Sequence, residues 1–129
     1  MSLPIVGYFF RPPAKALCAA LRPGAALIAV REPQNEFDPN AIRVIVTSAE
    51  VLAQSDSATL TTLCAEYGFS LDDIRDAESW HLGYIPAAIA ATIAPRIEIG
   101  VDYPGQFALS PAGKPMIDIE FPREAEPSA

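Results

Sequence analysis

The sequence predicts a mainly β domain with helices: a small, partly open β-barrel carrying an inserted helical flap. Several short stretches alternate apolar and polar residues, which is the period of a strand. Turn residues separate them, with 13 prolines and 7 glycines in the chain. Helical spacing is confined to a few segments. Many short strands with frequent turns suit a small barrel. A chain of 129 residues, 50% hydrophobic, fits one domain, expected over 1–122 with the flap at 48–79 and a disordered tail at 123–129.

Residues 3–10 read as a short strand with an aromatic end, and Pro4 suits its start or an edge position. Residues 12–22 read as a short helix or turn, rich in alanine, with proline at its start and Pro23-Gly24 as its stop. Residues 25–31 and 41–47 are two strands. In the second, Ile42, Val44 and Val46 share one face, so Arg43 points outward or toward the preceding loop. Ser55, Asp56 and Ser57 offer an N-cap, and Leu60, Leu63, Cys64 and Tyr67 follow at helical spacing until Gly68. Ser70 and Asp73 open a second short helix running to about Glu78. Residues 80–85 form a strand, and Pro86 starts a helix with Ile85, Ile89 and Ile93 at spacing four. Beyond Pro95, Ile97, Ile99, Val101 and Tyr103 alternate like a strand, while Ile97 also continues the helical spacing; both readings of 94–100 stay open. Pro104-Gly105 and 111–113 mark turns, and Ile117, Ile119 and Phe121 alternate in a last strand.

The formal net charge is −7. Residues 1–45 carry five basic against three acidic groups, whereas residues 46–129 carry four against thirteen. Such a molecule repels polyphosphate at long range, so any nucleic-acid contact is local and on the N-terminal half. The two helices of the flap do not make a DNA-reading helix pair, because Asp72, Asp73, Asp76 and Glu78 stand against a single Arg75. No apolar run reaches the length of a membrane span, and the N-terminus lacks a basic region followed by an apolar block. These features predict a cytoplasmic protein in which Cys18 and Cys64 are reduced, buried thiols.

The stretch from Ala29 to Thr47 is the most informative. Two strands flank a connection dense in Pro, Asn, Asp and Glu, which includes Arg31, Asn35, Phe37, Asp38 and Asn40. One reading is architectural: Asn35, Asp38 and Asn40 cap turns, Phe37 folds inward, and Arg31 pairs with Glu32 or Asp118. The other is functional: Phe9, Phe10 and Phe37 offer faces on which bases stack, while Asn35 and Asp38 meet a sugar or base edge. A carboxylate suits a terminal hydroxyl, which donates, better than a phosphate. One histidine, no Cys-x-x-Cys pair, no glycine-rich phosphate loop and no nucleophile elbow leave no support for a metal, a cofactor or an enzyme.

The order Val6-Gly7 with aromatics at 8–10, then Arg31-Glu32-Pro33, Asn35, Phe37-Asp38, Asn40-Ala41-Ile42 and Val44, then Leu82-Gly83-Tyr84-Ile85-Pro86, resembles a HIRAN domain. The resemblance spans about 4–46 and 80–100. It implies an OB-like or SH3-like partly open barrel, of a family found in replication-fork-remodelling translocases and as small bacterial and phage proteins. It implies a grip on the 3′-hydroxyl end of single-stranded DNA. Phe9 and Phe37 then correspond to the pair holding the terminal base, and Asp38 to the carboxylate at the 3′-hydroxyl. Asn35 corresponds to a polar contact in the same loop, and Tyr84 to a phosphate or base contact. The chain departs from the pattern at Tyr8, where a eukaryotic relative is basic, at Ala87 and Ala88, which replace lysines, and in its longer acidic flap. Two functions follow as expectations. One is a non-catalytic module for single-stranded DNA 3′ ends using Phe9, Phe10, Arg31, Asn35, Phe37, Asp38, Asn40 and Tyr84, with Arg11, Arg31 or Arg43 at phosphates. The other is an adaptor whose acidic residues 55–78 dock a protein partner.

Overall fold

The structure, a computed structural model, describes residues 1–8, 12–54 and 78–122, with 58, 61, 64–66, 68, 70 and 72 between them. The elements are β1 (Ser2–Pro4), α1 (Pro12–Ala20), β2 (Ala26–Arg31), β3 (Ile42–Thr47), α2 (Ser48–Gln54), β4 (Ser79–Tyr84), α3 (Ala87–Ile93), a 3-10 turn (Ala94–Arg96), β5 (Tyr103–Leu109) and β6 (Pro115–Ile119). The strands form one six-stranded sheet in the order β1-β6-β5-β2-β3-β4. Every pairing is antiparallel. This is a half-barrel with short helices, as the alternation predicts.

The sheet comes back on itself. Ile5 still bonds β6, its amide donating to the Pro115 carbonyl at 3.2 Å. The next residue crosses to the opposite edge, where Val6 and Tyr84 exchange two backbone hydrogen bonds of 2.8 Å each. A side chain at Gly83 would block this. A Cβ there would collide with the Val6 carbonyl oxygen and lie 2.8 Å from Ile5 Cγ2. Gly7, with φ +82°, then turns the chain away, so among the described residues the strand expected over 3–10 is limited to Ser2–Pro4 and the Val6 bridge. Phe9, Phe10 and Arg11 lie outside the described residues.

The core follows the alternation. Leu27 and Ala29 of β2, Ile42, Val44 and Val46 of β3, and Ile117 and Ile119 of β6 are buried with Phe107, Leu82 and Ile85. From α1, Leu17 and Cys18 join them, and Ile93 does so from α3. Between Val44 and Ile45 the β3–β4 register jumps from Gly83 to His81, leaving Leu82 as an extra residue that points into the core.

Three elements differ from expectation. Helix α2 begins directly at the end of β3, where the sequence reading places no helix before Ser55. Its signal is the Thr47-x-x-Glu50 spacing: Thr47 Oγ1 accepts the Glu50 amide at 3.2 Å, and Glu50 Oε1 accepts the Ala26 amide at 2.9 Å. Residues 97–102 are neither strand nor helix. Ile97 is buried, but Ile99 is exposed beside Gly100, whose φ is +80°. Pro104-Gly105 lies inside β5 rather than at a turn. A Cβ on Gly105 would sit 2.8 Å from the Asp118 carbonyl and 2.9 Å from Ile117 Cγ1, so the glycine permits close approach of β6.

In the flap, 58, 61, 64–66 and 72 are helical. Gly68 ends its helix as expected, with φ +75° and its amide donating to the Cys64 carbonyl at 2.9 Å. Ser55, Leu60, Leu63, Tyr67, Asp73 and most of 55–78, where a protein partner is expected to dock, lie outside the described residues, as does the tail from 123. No helix among the described residues is long and apolar enough to cross a membrane.

Gly83→Ala is expected to lower the unfolding free energy by about 1–3 kcal/mol in urea denaturation; a wild-type midpoint would show that closure tolerates a side chain. Cys18 and Cys64 are both buried, and neither is joined in a disulfide. Burial pushes the Cys18 thiol from 9.0 up to about 12. The folded state therefore keeps a proton that the unfolded chain releases, and this contribution to stability is lost as pH rises from 9.0 toward about 12. A thiol reagent at about pH 8 is expected to label Cys18 only on unfolding; labelling of the native protein at the free-thiol rate would contradict its burial.

Candidate nucleic-acid interface

The connection between β2 and β3 is held from both ends. The ladder continues one step past the strands, the Glu32 amide donating to the Ala41 carbonyl at 2.8 Å. Inside the loop, the Asn35 amide donates to the Glu32 carbonyl at 3.1 Å and the Ala41 amide to the Asp38 carbonyl at 3.1 Å. Side chains complete the turns. Asn35 Oδ1 accepts the amides of Phe37 and Asp38 at 2.9 and 3.0 Å, and Asp38 Oδ1 accepts the Asn40 amide at 2.9 Å. The architectural expectation therefore holds for Asn35 and Asp38, whereas Asn40 enters the turn through its backbone amide.

The expectation that Phe37 folds inward does not hold. Its ring is 94% exposed. Its own amide is tied to Asn35, and that turn places the side chain outside the barrel. Arg31 is also placed differently: its Nη2 donates to the Pro39 carbonyl at 3.4 Å. The Glu32 carboxylate faces Arg43 instead, with Nε 3.8 Å from Oε2. Strand register explains this. Arg43 stands opposite Val30 on β2 and Tyr84 on β4, and Glu32 falls on the same face as Val30 by the two-residue period.

Val6, Asn35, Phe37, Asp38, Ala41, Tyr84, Ile85 and Ala87 line one open cleft of about 270 Å³. Val6 comes from the barrel closure, Tyr84 and Ile85 from the end of β4, and Ala87 from the start of α3. The walls are mostly apolar, and the polar side chains among them are Asn35, Asp38 and Tyr84. Of the residues expected to bind DNA, the structure brings Asn35, Phe37, Asp38 and Tyr84 together. Arg31 stands at the foot of the loop, and Asn40 supports the Asp38 turn without lining the cleft. Phe9 and Phe10 lie outside the described residues. The volume is just under the ~300–1,000 Å³ of small-ligand pockets.

Sequence reading missed Glu32. Its Oε1 accepts the Tyr84 hydroxyl at 2.9 Å and Asn35 Nδ2 at 2.9 Å, so one carboxylate ties the loop to β4. The signal existed only in the register that sets Tyr84 opposite Arg43. It also missed the apolar wall of Val6, Ala41, Ile85 and Ala87, which comes from separate parts of the chain.

Asn35→Ala is expected to speed hydrogen exchange at the Phe37 and Asp38 amides by about tenfold, because both lose their acceptor. Unchanged protection at these two amides would show that the loop is ordered by its prolines instead.

No curated protein and no solved structure matches the chain. The HIRAN domain family model matches residues 14–106, which takes in most of α1, the whole β2–β3 connection, β4 and α3. That match covers more than half of the 129 residues, and the chain belongs to the HIRAN domain family, a family of DNA-binding modules.

Proposed function

We propose that this chain is a non-catalytic module that binds single-stranded DNA by its 3′-hydroxyl end. The observation that carries this reading is the meeting of the exposed Phe37 ring with Asp38 and Tyr84 in one apolar-walled cleft. A terminal base stacks on Phe37, which contributes roughly 1–3 kcal/mol. The sugar enters toward the Asp38 carboxylate, which accepts a hydrogen bond from the 3′-hydroxyl. An internal nucleotide, or a 3′-phosphate, sets negative charge against that carboxylate and is disfavoured. Membership of the HIRAN domain family supports a DNA ligand.

The charge distribution supports an end-binder over a coating protein. Among the described residues, Arg31 and Arg43 are basic side chains beside the loop, and Glu32 already faces Arg43. With one or two phosphates met, the affinity is expected to fall with salt on a slope of only about −1 in log–log form, at ~0.7 per contact for single strands.

A fluorescence-anisotropy titration tests the reading. A short strand ending in 3′-hydroxyl is expected to bind at least about tenfold tighter than the same strand ending in 3′-phosphate. Asp38→Ala is expected to erase most of that preference, and Phe37→Ala to weaken both strands by about 1–3 kcal/mol. Equal binding of the two ends by the unaltered protein would refute 3′-end recognition.

A further inference from the structure

We propose that the cleft favours a strand whose last nucleotide is a ribonucleotide, with both hydroxyls of its terminal cis-diol donating to Asp38. This rests on the reading of the cleft as a seat for a 3′ end, and it names the sugar that the seat fits best. Asn35, Asp38 and Tyr84 are the polar side chains lining the cleft. Asn35 and Tyr84 are engaged within the protein. Asn35 Oδ1 accepts the amides of Phe37 and Asp38 at 2.9 and 3.0 Å. Its Nδ2 donates to Glu32 Oε1 at 2.9 Å and lies 3.5 Å from Tyr84 Oη. The Tyr84 hydroxyl donates to the same Glu32 oxygen at 2.9 Å.

Asp38 differs. Its Oδ1 accepts the Asn40 amide at 2.9 Å, and no described residue donates to its Oδ2. Nor is Oδ2 a buried, unpartnered atom, so it meets solvent. A carboxylate offers about four lone pairs, of which the Asn40 amide takes one, so more than one further donor fits. A 2′-deoxy end brings one donor, its 3′-hydroxyl. A ribonucleotide end brings two, on adjacent carbons and cis on the ring, and both reach a single carboxylate. The acidic residue of dinucleotide-binding folds meets a ribose hydroxyl in the same way. The remaining walls, Val6, Phe37, Ala41, Ile85 and Ala87, carry no polar side-chain atom. They give the second hydroxyl no competing partner, and Ala41 and Ala87 each contribute only a methyl group. Hydrogen bonds to a charged acceptor are among the stronger ones, so the second hydroxyl adds affinity.

The test uses one DNA strand made with different terminal sugars, titrated against the full chain by fluorescence anisotropy. The ends are 2′-deoxyribose, ribose, 2′-O-methylribose and 2′,3′-dideoxyribose. Ribose is expected to bind about threefold to tenfold tighter than 2′-deoxyribose. The 2′-O-methyl end has no hydrogen to donate from its 2′ oxygen and is expected to bind no tighter than 2′-deoxyribose. Asp38→Asn keeps an oxygen for the Asn40 amide and presents an N–H to the ligand, so it is expected to erase the ribose gain. If ribose binds no tighter than 2′-deoxyribose while 2′-deoxyribose still exceeds the dideoxy end, the inference is overturned and 3′-end binding stands. A gain that the 2′-O-methyl end shares, or that D38N retains, also overturns it, because the contact is then not a hydroxyl donating to Asp38. If 2′-deoxyribose binds no tighter than the dideoxy end, the reading beneath fails and the inference with it. Should D38N not fold, the 2′-O-methyl comparison on the unaltered protein decides alone.

Discussion

The paired backbone bonds between Val6 and Tyr84 organise both the barrel and the cleft. They join two sheet edges that would otherwise present unpaired N–H and C=O groups. They depend on the missing side chain of Gly83, because the Val6 carbonyl fills the place where a Cβ would stand. The same contact decides the shape of the site. It brings Val6, from the start of the chain, against Tyr84 and Ile85, from the end of β4, and these three make the apolar wall that faces the β2–β3 loop.

The loop is ordered before any ligand arrives. Its ends are pinned by the extended ladder, and its interior by the side chains of Asn35 and Asp38. An exposed Phe is unremarkable by itself. Here its backbone is fixed and it borders an apolar cleft, so a stacked partner loses little additional loop entropy on binding. Polar chemistry at this site is concentrated in one carboxylate, Glu32, on which the tyrosine hydroxyl, the asparagine amide and an arginine converge. A network of this kind resists rearrangement because removing any member strands the others.

Much of this was legible in one dimension. The alternation of Ile42, Val44 and Val46, and of Ile117 and Ile119, identified buried strand faces, because a strand's two-residue period does not depend on its neighbours. The spacing of Asn35, Asp38 and Asn40 identified local turns, since the bonds they make reach only two or three residues. Other signals misled. Alternation at Ile97, Ile99 and Val101 lacked a pairing partner and became a turn. Pro104-Gly105 looked like a turn but is a strand segment chosen for close packing. Thr47 and Glu50 announced α2, but the strand pattern running into them obscured the cap.

By itself, the sequence determined the elements whose causes are local: strand faces, Asx turns, the glycine that ends the flap helix, and the family string along the β2–β3 loop. Only the tertiary structure decided that Phe37 points out, that Arg43 rather than Arg31 stands against Glu32, and that Val6, Tyr84 and Ala87 share one cleft. Those outcomes depend on strand register and on closure between residues nearly eighty positions apart. Neither register nor closure leaves a periodic mark in the chain, because each is set by the packing of the whole sheet rather than by neighbours in sequence.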